Sequence, residues 1–165
     1  MSGAKVGQPA PDFELEGTDG AFRLADHMGE RVVLLFYPGD NTPVCTKQFC
    51  SYAERTDEMH DLPATVVGIS AQDLDSHRDF QAEHSIPVPL LADTDRSVAK
   101  AYGVSAPLVG TRRAVFVIDE AGVIRHRHVH RLGLDFQTVD ELRAVLDQLP
   151  PEAGSGSGSS GATVS

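Results

Sequence analysis

Three runs of apolar, largely β-branched residues constrain the fold of this chain more than any other feature of its 165 residues. They occupy residues 31–37, 64–70 and 113–119. The apolar residues in each run follow one another without alternating, which is typical of strands covered on both faces. Segments with helical patterns separate and follow these runs, at residues 44–62, 74–84, 97–102 and 138–149. Alternating strands and helices predict an α/β protein with a central sheet between helices.

Shorter segments complete the predicted sheet. Residues 12–15 and 21–24 flank an Asp-Gly pair, which is typical of a β-hairpin, and residues 90–93 resemble a short strand. A further turn at residues 120–122 leads into a predicted strand over residues 123–129. A hairpin so late in the chain indicates a mixed sheet. The order of elements predicts a thioredoxin-like fold with an N-terminal β-hairpin extension.

The composition and charge of the chain argue against some classes of binding partner. The formal net charge is −10, from 24 acidic and 14 basic residues, which argues against binding to nucleic acid or to an anionic membrane. The N-terminus shows no apolar signal region and no run is long enough to span a bilayer, so we expect a cytoplasmic protein. Residues 1–150 are predicted to form one domain, and residues 151–165 a Gly/Ser-rich disordered tail.

The chain has two cysteines, Cys45 and Cys50. In a reducing compartment, two nearby cysteines indicate catalysis, redox sensing or metal binding rather than a structural disulfide. Thr42 is a candidate N-cap and Pro43 suits the first helical position, which places Cys45 in the first turn of a helix. Unpaired N–H groups and the helix dipole there favour a thiolate, the nucleophilic form of cysteine.

Two further residues are candidates for the same site. Pro38 follows the first buried strand, where it would stiffen the loop and shield the sulfur from bulk water. Arg113 begins the third buried strand, and we expect parallel neighbouring strands to bring its guanidinium near the helix start. A fixed positive charge there would stabilise a thiolate and polarise an oxygen of a bound substrate.

The spacing of the cysteines predicts a conformational change if they bond. Five residues on a helix correspond to a rise of roughly 7.5 Å, with the side chains well over a quarter-turn apart. A disulfide needs Cα atoms within roughly 7 Å and converging Cβ vectors. Cys45 and Cys50 therefore cannot bond until the first helical turns unwind.

Residues 36–50 closely resemble the active-site segment of peroxiredoxins of the AhpC/TSA superfamily, most of all the Q-type or bacterioferritin comigratory branch. Pro38, Thr42 and Cys45 match the family pattern of Pro, three residues, Thr, two residues and Cys. Cys50 matches the resolving cysteine of many Q-type members, and Arg113 matches the catalytic arginine that precedes a strand ending in Ile-Asp. The resemblance extends from about residue 6 to about residue 149. The chain departs from the common pattern at Gly39, Val44 and Phe49.

The resemblance implies a thiol-specific peroxidase that reduces hydrogen peroxide and organic hydroperoxides. Cys45 would be oxidised to a sulfenic acid, and Cys50 would condense with it to an intramolecular disulfide. Thioredoxin or a similar dithiol reductant would then regenerate the thiols. The resemblance implies no metal or organic cofactor, and a monomer or weak homodimer.

Other interpretations stay open from the residues alone. The cysteines could be inert core residues, or belong to a thiol–disulfide oxidoreductase, although the usual C-x-x-C is missing. A redox sensor or holdase would use the same pair of cysteines. His126, His128 and His130 alternate along a predicted strand and so share one face, which fits either a metal site or a solvated edge strand. Arg125 and Arg127 make the opposite face polar and favour the edge strand.

Overall fold

The computed structural model describes residues 4–40, 43–106, 110–130 and 138–149. The described strands are β1 (Glu14–Leu15), β2 (Phe22–Arg23), β3 (Val32–Phe36), β4 (Thr65–Ser70), β5 (Leu90–Ala92), β6 (Ser105–Ala106), β7 (Gly110–Thr111), β8 (Ala114–Ile118) and β9 (Ile124–Val129). The described helices are α1 (Pro43–Glu54), α2 (Thr56–His60), α3 (Leu74–His84), α4 (Ser97–Ala101) and α5 (Val139–Asp147), with a 3₁₀ turn at Leu24–His27.

The three apolar runs form the centre of a five-stranded sheet with the order β5-β4-β3-β8-β9. Every residue of β3 and β8 is buried, as expected for strands covered on both faces. β3 pairs in parallel with β4 and antiparallel with β8, so the predicted mixed sheet is confirmed. The predicted N-terminal hairpin is also confirmed, since β1 and β2 pair antiparallel.

Apolar side chains fill the space on both sides of this sheet. On one side, Leu34 and Phe36 of β3 pack with Phe13 and Phe22 near the N-terminal hairpin and with Tyr102 after α4. On the other side, alternate residues of β3 and β8 pack against α1, α3 and α5 through buried side chains that include Cys45, Phe49, Phe80 and Leu142. The layers of the predicted α/β protein are therefore present, and α1 lies directly on the sheet.

The single helix predicted over residues 44–62 is wrong, because the chain leaves the helical path at Arg55, where φ is −125° and ψ is 43°. The Thr56 hydroxyl donates a hydrogen bond to the Ala53 carbonyl (2.7 Å), and the Arg55 guanidinium donates to Glu58 and to Asp140 of α5. These contacts redirect the chain, and α2 then buries Met59.

Two other expectations concern membrane-spanning segments and the C-terminal tail. No helix in the described ranges is long and apolar enough to cross a membrane. The predicted disordered tail, residues 151–165, lies outside the described residues. The two-residue strands β6 and β7 form a small antiparallel pair that could not be predicted from the sequence, because segments this short carry no periodicity.

Candidate active site

Cys45 is the third residue of α1, and its side chain is completely buried against the end of the central sheet. The predicted helix start is confirmed, since α1 begins at Pro43. Thr42, the predicted N-cap, lies outside the described residues. Cys45 therefore lies in the first turn of the helix, where the backbone N–H groups have no partner within the helix.

The guanidinium of Arg113 lies next to this sulfur. Arg113 Nη2 donates a hydrogen bond to Cys45 Sγ at 3.1 Å, and the Arg113 side chain is also buried. The structure therefore brings together two candidate residues that are 68 positions apart in sequence. A guanidinium is positively charged at every physiological pH, so its proximity favours a negatively charged sulfur.

The expectation that parallel strands carry Arg113 to the helix start is wrong. β8 runs antiparallel to β3, with Ala114 opposite Phe36, so Arg113 lies beside the end of β3 from which the chain continues to α1. In a parallel pair, the first residue of β8 would lie at the other edge of the sheet, far from Cys45. The antiparallel register is thus what places the cation beside the sulfur.

A buried glutamine and a buried tyrosine hold the guanidinium in place. Arg113 Nη1 donates to Gln48 Oε1 at 2.5 Å, and Gln48 Nε2 donates to the Tyr52 hydroxyl at 3.0 Å. Burial raises the pKa of Tyr52 well above its usual value, so the phenol stays neutral. Neither residue was among the candidates predicted from the sequence. Their spacing could have identified them. Gln48 follows Cys45 by three residues and Tyr52 follows Gln48 by four, which places all three on one face of α1.

A second buried network fixes the loop between β3 and α1. Asp40 accepts hydrogen bonds from the Tyr37 hydroxyl (2.7 Å) and the Ser76 hydroxyl (2.8 Å), and its Oδ2 lies 2.7 Å from His77 Nδ1. The other ring nitrogen of His77 lies 2.9 Å from the Leu91 carbonyl oxygen. Through these contacts the loop is tied to α3 and β5.

This network changes the titration of two of its members. Burial raises the pKa of Tyr37 well above its usual value, and the adjacent Asp40 carboxylate adds to that shift. Burial also raises the pKa of Asp40, but hydrogen bonds from His77, Tyr37 and Ser76 outweigh it and hold the pKa below its usual value. Asp40 therefore carries a negative charge at neutral pH inside the protein.

Gly39, one of the departures from the family pattern, has a structural reason. A Cβ at this position would lie 2.7 Å from Gln72 Oε1. That oxygen accepts hydrogen bonds from the Asp40 backbone N–H (2.8 Å) and from the Ser70 hydroxyl (2.9 Å). A side chain at position 39 would therefore require the flexible end of Gln72 to move out of these hydrogen bonds. Pro38 lies half-buried beside Gly39, and its role in shielding the sulfur stays a prediction.

Cys50 lies on the same helix as Cys45, half-buried, and both thiols are free. Because α1 is continuous between them, the helical rise of roughly 7.5 Å keeps the two sulfurs from bonding, as the sequence predicted. The Cys50 Sγ instead lies 3.4 Å from Nδ1 of His84, the last residue of α3.

His126 and His128 lie on β9, the edge strand of the sheet, and His130 follows directly after it. The ring centroids of His126 and His128 are 6.5 Å apart, and those of His128 and His130 are 4.3 Å apart. Within the described part of the chain, no three His, Cys, Asp or Glu side chains are placed to hold a metal ion. The predicted edge-strand position is confirmed, and Arg127 extends over the Phe116 ring on the neighbouring strand.

The sequence is similar to known proteins of one family. The AhpC/TSA family matches residues 6–127. Peroxiredoxin Q, chloroplastic, from Oryza sativa subsp. japonica is 40% identical over 123 residues, which are 73% of this chain and 57% of the rice protein. The chain thus spans little more than half the length of that relative. Peroxiredoxin Bcp from Bacillus subtilis (strain 168) is 34% identical over 126 residues, which are 72% of this chain and 80% of that protein.

A solved structure has the same architecture. The crystal structure of peroxidoxin BcpB from Mycobacterium tuberculosis superposes with a TM-score of 0.78 at 30% sequence identity. The superposition covers 89% of this chain and 99% of that one. The predicted thioredoxin-like α/β fold is thereby confirmed.

Proposed function

Since the chain belongs to the AhpC/TSA family, in its peroxiredoxin Q/Bcp branch, we propose that it is a thiol peroxidase with Cys45 as the nucleophile. The observation that carries this proposal is the contact of 3.1 Å between the Arg113 guanidinium and the Cys45 sulfur in a buried site. A cation fixed beside a sulfur at a helix start supports a thiolate, which is the reactive form.

In the first step, the Cys45 thiolate attacks one oxygen of the peroxide and the O–O bond breaks. The departing oxygen leaves as alkoxide or hydroxide and takes a proton from the medium, and the sulfur becomes a sulfenic acid. Arg113 donates to the sulfur and stabilises negative charge as it moves from the sulfur to the leaving oxygen. Because Cys45 has no exposed surface, entry of the substrate requires movement around the site, which favours hydrogen peroxide and small organic hydroperoxides.

In the second step, the sulfur of Cys50 attacks the sulfenic sulfur of Cys45, the S–O bond breaks and water leaves. The first turns of α1 unwind to allow the bond, because the intact helix holds the sulfurs apart. A dithiol reductant of the thioredoxin type then attacks the disulfide and restores both thiols. In this cycle sulfur itself is the redox centre and no metal or organic cofactor takes part.

Three further parts of the proposal rest on the sequence. Thr42 would face the sulfur and the bound peroxide, and Pro38 would shield them from water. The protein would act as a monomer or weak homodimer. The cytoplasmic location stays a prediction, since the rice relative is named as chloroplastic.

Intact-mass analysis after one equivalent of peroxide tests the cycle. We expect the wild-type protein to lose about two mass units as the disulfide forms, and C50S to gain one oxygen on Cys45. C45S should consume no peroxide with a dithiol reductant. Peroxide consumption by C45S would refute the proposal, and full multiple turnover by C50S would remove Cys50 from its role.

A comparison of substrates separates the peroxidase from the thiol–disulfide oxidoreductase. With the same dithiol reductant, we expect rapid turnover of hydrogen peroxide and slow reduction of a protein disulfide such as that of insulin. The C-x-x-C pair that usually reduces protein disulfides is absent from the sequence. The opposite preference would favour the oxidoreductase.

A further inference from the structure

Cys50 and His84 form a contact that the two steps above do not use. The Cys50 sulfur lies 3.4 Å from His84 Nδ1, which is within the distance of a hydrogen bond to sulfur. The contact joins α1 to α3 and is partly shielded, since the His84 side chain is 20% exposed and Cys50 is half-buried.

The imidazole is oriented by its surroundings. His84 is the last residue of α3, which ends at Ser85 in the left-handed conformation (φ 53°). The His84 ring packs against the fully buried Phe80 ring, with centroids 5.2 Å apart and planes at 72°. Phe80 in turn packs against Phe49 of α1. This aromatic packing directs Nδ1 toward Cys50 and leaves Nε2 near the surface, 4.0 Å from Glu83 Oε2.

We propose that His84 accepts the proton of the Cys50 thiol and so makes Cys50 the nucleophile that forms the disulfide, an inference that rests on the proposed peroxidase cycle. The S–H group donates to Nδ1, the proton passes to the imidazole, and the Cys50 thiolate attacks the sulfenic sulfur of Cys45. The S–O bond breaks, and the hydroxide takes up one proton and leaves as water. His84 then returns to its neutral form by giving its proton to that hydroxide or to solvent.

The positions of the two cysteines in α1 agree with this role. Cys45 lies in the first turn, whereas Cys50 is the eighth residue of the helix and contacts α3. Unwinding from the N-terminus therefore releases Cys45 first and leaves Cys50 beside His84 for longest. Cys50 can then be activated in place while the sulfenic acid moves toward it.

Three charged residues that neighbour Cys50 or His84 along their helices are exposed to solvent. Lys47 and Glu54 lie about one helical turn before and after it on α1, and both are exposed to solvent. Glu83, beside His84 on α3, is exposed as well. Solvent screens charges at such positions, so they change the reactivity of a thiol less than a direct contact does. An imidazole accepts protons in the neutral pH range, which suits the task.

Alkylation of Cys50 by iodoacetamide in the C45S background tests the activation without peroxide. Near pH 7 we expect C45S to react about tenfold faster than C45S/H84N, because alkylation follows the thiolate fraction. The two rates should converge near pH 9, where thiols ionise to a large extent without help. C45S/H60N is the matched control and should react like C45S, because His60, at the end of α2, contacts the Pro87 carbonyl oxygen rather than a cysteine. Equal rates with and without His84 at every pH would overturn the proposal.

Single-turnover kinetics test the same residue in the cycle. In H84N, sulfenic acid formation on Cys45 should keep its rate, while disulfide formation should slow by about a hundredfold at pH 7, in the range for loss of a general base. The defect should shrink as the pH rises to about 9. A slowing that is the same at every pH would indicate a structural role and overturn the proposal. H84Q replaces H84N if the latter unfolds.

The two assays separate this inference from the proposed function. If no variant shows an oxygen adduct on Cys45, the peroxidase proposal fails, and the alkylation rates still decide whether His84 activates Cys50. If Cys45 is oxidised and H84N forms the disulfide at the wild-type rate, the peroxidase proposal stands and the role of His84 falls.

Discussion

Position 113 carries an arginine where a lysine would supply the same charge. The two terminal nitrogens of Arg113 have different tasks, since Nη2 contacts the Cys45 sulfur and Nη1 contacts Gln48. A planar guanidinium presents its donors in a fixed fork, whereas a lysine ammonium is a single point charge on a flexible stem. The site therefore uses the geometry of arginine as well as its charge.

Substitutions at position 113 separate charge from geometry. We expect R113Q to slow the reaction of Cys45 with peroxide by about a hundredfold or more, since it removes a preorganised charge beside the reacting atoms. R113K should fall between R113Q and the wild type. Stopped-flow kinetics with hydrogen peroxide measure this step. R125Q is the control, because Arg125 pairs with Asp119 at the opposite end of β8. A wild-type rate for R113Q would contradict the assigned role.

Gln48 tests whether the guanidinium must be held in place. Q48L removes the acceptor of Arg113 Nη1 and the donor to the Tyr52 hydroxyl. We expect a loss of about 1–3 kcal/mol in the free energy of unfolding, because buried polar groups lose a partner. We also expect a peroxide reaction roughly tenfold slower, because a displaced catalytic group costs rate. Urea unfolding and stopped-flow kinetics measure the two effects.

Y52F provides the comparison for Q48L. It removes the hydroxyl that accepts the hydrogen bond from Gln48 and keeps the ring. Its effect on the peroxide reaction should be smaller than that of Q48L. An equal or larger effect would indicate that Tyr52, rather than Gln48, holds the Arg113 guanidinium in position.

At the scale of elements, α1 carries both cysteines, and the proposed cycle requires this helix to change shape. After oxidation by one equivalent of peroxide, we expect the backbone amides of residues 46–50 to lose hydrogen-exchange protection, since the first turns unwind to form the disulfide. Protection in α3 and α5 should persist. C50S treated in the same way should keep α1 protected, because no disulfide can form. Full protection of α1 in the oxidised wild type would contradict the unwinding.

The elements themselves were largely predictable, because their signals are local. The continuous apolar runs gave β3, β4 and β8, and the Thr-Pro pair before Cys45 gave the start of α1. What could not be predicted depends on distant contacts. The direction of β8 follows from how the chain between β4 and β8 returns to the sheet, and the break at Arg55 follows from its contact with Asp140.

The same limit applies to the site. The family pattern identified Cys45, Cys50 and Arg113 as candidates, and the structure places two of them in contact. Gln48 and His84 are polar residues on helices, where most such residues face solvent. Only the packing of α1 against the sheet and against α3 shows that Gln48 is buried beside Arg113 and that His84 meets Cys50.

At the scale of the whole molecule, a buried carboxylate links parts of the chain that are distant in sequence. Asp40 joins the loop before α1 to Tyr37, to Ser76 and to His77, and its side chain is only 1% exposed. His77 carries the connection on to the Leu91 carbonyl oxygen in β5. We therefore expect the ionised Asp40 to contribute to the stability of the fold and to hold the loop before α1 in place.

This dependence predicts a loss of stability in acid. Burial raises the pKa of Asp40, but the hydrogen bonds from His77, Tyr37 and Ser76 hold it below the usual value of 3.8. A carboxyl whose pKa is lower in the folded state stabilises the protein above its unfolded-state pKa, and this contribution disappears as the pH falls through the folded-state pKa. The free energy of unfolding should therefore fall below about pH 4 in the wild type.

D40N tests this linkage against a matched exposed carboxylate. At pH 7 we expect D40N to lower the free energy of unfolding by about 1–3 kcal/mol, and to flatten its decline below pH 4, because the titrating group is gone. In D140N the loss at pH 7 should be much smaller than in D40N, because Asp140 is 75% exposed where it pairs with Arg55 and solvent screens the pair. Urea unfolding at several pH values measures both. If D40N declined in acid as steeply as the wild type, the pH dependence would have to come from the other carboxyls with lowered pKa values, such as Asp119.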